Sequence, residues 1–166
     1  MKILSARVLI LSILAALPMP LMAEAAYPEA RPFVETDNAA AKIDNALASA
    51  AKNDKRVIVI LGANWCHDSR ALAGWFATPR FAAMLNERYE IVFVDVGMPQ
   101  TQNGRNLDIA NRFGFNKMKS TPLVIVPSSD GRMINSRKSA ISWRNAASRS
   151  EKAIFDYFNN FAVGQK

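Results

Sequence analysis

Apolar positions along this chain keep changing period, and each change falls at a turn-forming residue. Ile43, Ala46, Leu47 and Ala50 recur at helical steps, so a helix is predicted here, opened by Thr36 or Asp37 and ended by Asn53 and Asp54. Val57-Ile58-Val59-Ile60-Leu61 is a continuous, mostly β-branched run, the signature of a central strand buried on both faces; Gly62 closes it. Helical spacing returns with Leu72, Trp75 and Phe76. Thr78-Pro79 then predicts a restart, with a capping hydroxyl and proline at the first helical position, and Phe81, Met84 and Leu85 supply its apolar stripe. Ile91 to Val96 reads as a second buried strand. A strand, a helical crossover and another strand form a right-handed parallel βαβ unit.

The second half is more broken. Gly97 to Gly104 reads as a polar connection, and Leu107, Ala110 and Phe113 as the inward face of a short helix ended by Gly114. Leu123 to Val126 is a third strand. Ser128-Ser129-Asp130-Gly131 is a turn, with Arg132 to Asn135 returning antiparallel. Ser148 and Glu151 have capping-box spacing before a stripe of Ile154, Phe155, Phe158, Phe161 and Ala162, closed by Gly164.

The start of the chain follows other rules. Lys2 and Arg7 precede an apolar run from Val8 to Leu17; Pro18 and Pro20 break it, and small residues follow at Ala23 and Ala25. This is the pattern of a secretory signal peptide. The run is shorter than the roughly 20 apolar residues of a membrane-spanning helix. Residues 1–25 are therefore expected to be a signal peptide cleaved after Ala25 (or, second, after Ala23), giving a periplasmic or secreted protein. The competing reading is an uncleaved leader, the one route to membrane attachment. Residues 26–35, with Pro28 and Pro32, read as an extended lead-in, and 36–166 as one domain.

Half of the 166 residues are apolar, enough for one packed core. The net charge is +7, or +6 once Lys2, Arg7 and Glu24 leave with the leader. The basic residues Arg112, Lys117, Lys119, Arg132, Arg137, Lys138, Arg144 and Arg149 are scattered, with no Lys/Arg-dense run interleaved with aromatics, so nucleic acid is not an expected partner. His67 is the single histidine, and its adjacency in sequence to Cys66 is not the spatial pairing that a nucleophile and base need. Cys66, His67 and Asp68 have no second ligand cluster, which argues against a metal site. No cofactor is expected.

The chain holds one cysteine, so no internal disulfide can form, although export places it in an oxidising compartment. A lone thiol there is either buried and inert or reactive. Cys66 stands where a strand turns into a helix. The unsatisfied N–H groups and positive dipole end of a helix N-terminus favour thiolate over thiol, as does a protonated His67. Asp68 opposes it. Ser69, one turn on, is placed to donate a hydroxyl hydrogen bond to the sulfur.

Trp65-Cys66-His67-Asp68-Ser69 after a buried strand, Thr121-Pro122 before a hairpin, and Ala110-Asn111-Arg112-Phe113-Gly114-Phe115 between them resemble the thioredoxin-like superfamily, over residues 36–163. The resemblance implies an α/β, thioredoxin-like fold, with a central mixed sheet flanked by helices. It implies that Cys66 is the nucleophilic first cysteine of the active-site motif, with Ser69 in the place of the resolving one. Trp65, His67 and Asp68 then modulate the site. Pro122 matches a cis-proline beside the sulfur, and Thr121 pairs backbone to backbone with an extended substrate. The plainer reading of Pro122 is an ordinary trans proline at a strand start.

Two departures from the family pattern stand out. With no second cysteine, a mixed disulfide cannot be resolved within the chain. Ile60 also stands where thioredoxins often carry a buried acid. Two functions stay open. One is a monothiol thiol–disulfide oxidoreductase or isomerase, with glutathione or another small thiol as co-substrate, acting on protein clients that bear cysteines or disulfides, or with a partner supplying the resolving thiol. The other is a redox-inactive module that binds extended peptides.

Overall fold

The computed structural model describes residues 27–35 and 38–162. The leader, the caps expected at Thr36 or Asp37, and Gly164 lie outside the described residues.

The elements follow in chain order as α1 (Ala39–Lys52), β1 (Arg56–Gly62), α2 (His67–Ala77), α3 (Pro79–Arg88), β2 (Tyr89–Asp95), β3 (Gly97–Met98), β4 (Asn103–Gly104), α4 (Leu107–Arg112), β5 (Leu123–Ile125), α5 (Arg137–Ile141), a 3-10 helix (Ser142–Ser148) and α6 (Glu151–Phe161). β1 lies between β2 and β5, parallel to the first and antiparallel to the second, so the sheet is mixed. Its alternation divides the interior in two. Val57, Val59 and Leu61 meet Ile43 and Leu47 of α1 and Ile109 of α4 on one face. Ile58 and Ile60 meet Leu72, Phe76, Phe81, Trp143 and Phe158 on the other. A strand covered by helices on both sides needs apolar residues at every position, which is why its run has no polar alternation.

Several local expectations are replaced by other solutions. The Thr78 hydroxyl does not cap α3; it donates to the Trp75 carbonyl at 2.8 Å and closes the end of α2, while Pro79 does sit in the first turn of α3. The cap of α6 is Ser150, whose side chain accepts from the Ala153 N–H, rather than Ser148, which ends the 3-10 helix. The connection after β2 folds into the β3–β4 hairpin. α5 and the 3-10 helix fill a stretch where no helix was expected.

The returning strand at Arg132–Asn135 is reduced to a single bridge between Pro127 and Met133. The cause lies at Asn135, which is 2% exposed. Its side chain accepts from the Val126 N–H at 2.9 Å and donates to the Val124 carbonyl at 2.9 Å. One carboxamide thus supplies the donor and acceptor that a neighbouring strand would have offered, so the edge of β5 is satisfied without a full ladder. The same amide nitrogen donates to Tyr157, which also accepts from Ser139, joining β5, α5 and α6.

Candidate active site at the start of helix α2

The end of β1 delivers Gly62 and Ala63 to a tight corner. The Cys66 N–H bonds back to the Ala63 carbonyl at 3.1 Å, and the Arg70 N–H takes the Cys66 carbonyl at 3.1 Å as the first helical bond. Cys66 is therefore the N-cap of α2, with extended backbone angles. Two guanidiniums brace this corner. Arg31 and Arg70 both donate to the Asn64 carbonyl, at 3.0 and 3.1 Å, and Arg70 also donates to the Trp65 carbonyl at 3.0 Å. The Asn64 side chain returns the connection by pairing with both backbone groups of Phe33. Arg70 is held by Glu29 at 2.9 and 3.2 Å, and that bidentate bond lowers the carboxyl of Glu29 below its ordinary value.

The lead-in is thus a brace against α2. Ala30 bonds to the Arg70 carbonyl, Phe33 is 4% exposed against Phe93, and Gly74 brings the helix so close that an added Cβ would lie 2.1 Å from the Pro28 carbonyl oxygen. Sequence reading missed Asn64, Arg70 and Glu29. The available signal was Arg70 itself, one helical turn after Cys66 and able to reach back over the corner.

The sulfur is neither open to solvent nor bound by the helix N–H groups. Cys66 is 7% exposed, and its thiol donates to the Thr121 carbonyl at 3.4 Å. The Thr121–Pro122 peptide bond is cis. Expected neighbours Cys66, Thr121 and Pro122 therefore do come together, across 55 residues of sequence. Ser69 does not serve as expected. It is fully buried, and its hydroxyl accepts from the Ala63 N–H at 3.4 Å rather than donating to sulfur. The site is tight there: a Cβ on Gly62 would fall 2.7 Å from the Ser69 oxygen.

His67 and Asp68 engage each other, with Nε2 and Oδ2 3.1 Å apart. The other carboxylate oxygen of Asp68 accepts from the Ala147 N–H at 2.9 Å, tying α2 to the 3-10 helix. Trp65 stands at the surface, 47% exposed, with its indole N–H on the Gly97 carbonyl at 2.8 Å. Among the described residues no three His, Cys, Asp or Glu side chains gather as a metal-binding group.

A lone thiol at a helix start, beside the carbonyl that precedes a cis-proline, is the arrangement the resemblance implied. A family model described as thioredoxin-like matches residues 38–127. The chain belongs to the thioredoxin-like family. Among solved structures, it is similar to a disulphide isomerase from Xylella fastidiosa Temecula1, at 30% identity and a TM-score of 0.69, over 79% of this chain and 96% of that one. No curated protein matches. Within the matched span of this thioredoxin-like chain lie β1, the Cys66 corner, β2 and the Thr121–Pro122 loop. The lead-in brace at residues 27–35 and the helices after residue 127 lie outside it.

Proposed function

We propose that this thioredoxin-like protein takes part in thiol–disulfide exchange through Cys66 alone. The observation that carries the reading is the 3.4 Å contact between Cys66 Sγ, at the first turn of α2, and the Thr121 carbonyl before the cis bond. The similarity to a disulphide isomerase supports the same chemistry.

To react, the thiol gives up its bond to Thr121 and loses its proton. The thiolate attacks one sulfur of a client disulfide; a new S–S bond forms as the old one breaks, and the departing sulfur takes up a proton. The exchange has no net electron change. Because Ser69 cannot resolve the adduct, release comes from another client cysteine, which amounts to isomerisation, or from glutathione or a similar small thiol, or from a partner protein. The backbone of Thr121 is placed to align an extended client segment beside the sulfur.

The test is capture. Incubation with a disulfide-bearing client is expected to give a mixed disulfide on non-reducing gels that glutathione reverses and Cys66→Ala abolishes. Absence of any adduct from the wild-type chain overturns the reading. It would favour the second one, a redox-inactive module for extended peptides, which the low exposure of Cys66 supports.

Ser69→Cys separates the missing-sulfur argument from the rest. Residues three apart in the first helical turn lie within the Cα separation of about 4.4–6.8 Å that a disulfide spans. The variant is therefore expected to form an internal bond under mild oxidant and to gain dithiol activity, read by thiol titration and insulin reduction. Two titratable thiols persisting under oxidant would contradict it.

We place the protein in the periplasm or outside the cell by way of the cleaved leader. N-terminal sequencing of the exported chain is expected to begin at Ala26; a start at Met1 would mean that the leader stays attached.

A further inference from the structure

The basic residues that look scattered in sequence converge in the fold. A cavity of about 470 Å³ lies beside Pro122, floored by Phe115, Met118, Leu123 and Ile141. Around it stand Lys117, Lys119, Arg137 and Arg144, all exposed. None of these four has a carboxylate partner among the described residues, whereas Arg70, Arg80, Arg105, Arg112 and Arg132 each do. Arg137 donates to the Gly114 carbonyl and lies over the Phe115 ring, 4.4 Å from its centre, so at least one of the cations is held in place.

The local sequence leaves these charges unanswered. Between Asp108 and Glu151 the single acidic residue is Asp130. Its carboxylate is engaged in its own turn by Ser128 and Arg132, bonds that hold it down to about 2. The cavity and the thiol meet the same loop: Pro122 lines the cavity, and the carbonyl one residue earlier receives the Cys66 thiol. Arg144 also lines a second hollow, with His67 and Asp68 at the start of α2.

We propose that this cavity seats an acidic segment of a polypeptide client, an apolar side chain on the floor and flanking Asp or Glu carboxylates against Lys117, Lys119 and Arg144. The proposal rests on the client-exchange reading above and names its substrate class. An apolar floor inside a ring of like charges complements a segment that is itself apolar and acidic, and such a ring speeds encounter and rejects basic segments. The cavity does not suit single-stranded nucleic acid, since its one aromatic, Phe115, is 2% exposed and offers no stacking face. Nor does it suit insertion into a bilayer, since Ile141, at 37%, is the one exposed large apolar residue on it.

The test uses the full chain carrying Cys66→Ala, so that binding is read without thiol chemistry. The probe is a short fluorescent peptide of alternating Glu and Leu, free of cysteine, followed by anisotropy. Saturable binding is expected, weakening as salt rises. Lys117→Glu with Lys119→Glu, and separately Arg144→Glu, are expected to weaken it about ten-fold each. The proposal is overturned if these reversals leave the affinity unchanged. It is equally overturned if a Lys–Leu peptide, oligothymidylate or phosphatidylglycerol vesicles bind as tightly. Failure here with intact mixed-disulfide capture would remove the acidic-client assignment alone; the converse would remove the thiol chemistry alone.

Discussion

Asn135→Ala is expected to destabilise the protein by about 2–4 kcal/mol, since it strips partners from two buried backbone groups at about 1–3 kcal/mol each. The Val126 N–H and the Val124 carbonyl both end on the Asn135 carboxamide, and no strand stands ready to replace it. The hydroxyl of Tyr157 loses a donor as well. Urea unfolding followed by far-UV circular dichroism measures the effect: the midpoint should fall with the slope unchanged. A loss below about 1 kcal/mol, the net worth of one ordinary hydrogen bond, would mean that water or a shifted backbone takes over the edge of β5.

Gly74→Ala tests the lead-in brace through the sign of its effect. In a helix interior, glycine to alanine ordinarily stabilises by about 0.5–1 kcal/mol. Here the new Cβ would lie 2.1 Å from the Pro28 oxygen and 2.5 Å from the Glu29 nitrogen, both backbone atoms that cannot step aside alone. Residues 27–35 must lift. Phe33 then leaves a site where it is 4% exposed, and burial of a phenylalanine contributes about 1.5–3 kcal/mol. The expected outcome is a net destabilisation of about 1–3 kcal/mol, with new protease cleavage before α1. A more stable, uncleaved variant would show that the lead-in does not depend on its contact with Gly74.

The framework was legible where one residue pattern had one physical explanation. Val57–Leu61 had to be a doubly covered strand, and the stripes of α1, α3 and α6 marked the faces those helices bury, α6 doing so against Phe76, Phe81 and Trp143. The meeting of Cys66 with Thr121 was legible through the motif, because a strand-to-helix corner and a Thr-Pro before a strand have few ways to be arranged around one sheet. The losses are equally specific. α5 and the 3-10 helix span 5 and 7 residues, too short and too rich in serine and charge to show a period. Asn135 reads as a turn residue, and nothing local says that its side chain will stand in for a strand. Ser69 was given the sulfur as partner from its spacing. Its actual orientation depends on how closely β1 approaches α2 at Gly62 and Ala63, which is a property of the packed molecule. The convergence of Lys117, Lys119, Arg137 and Arg144 was hidden for the same reason, since 27 positions of sequence separate the first from the last.

These features bear on one sulfur, buried at a braced corner with its thiol on the Thr121 carbonyl. Its reactivity in the native fold is the direct test. The protein would be incubated with oxidised glutathione at neutral pH without denaturant, and intact mass followed over time. The account predicts one glutathione adduct, on Cys66, forming in the folded state and removed by reduced glutathione. An adduct that forms in denaturant and never in the native protein would contradict it, and would leave Cys66 as a buried core residue of a thioredoxin-like binding module.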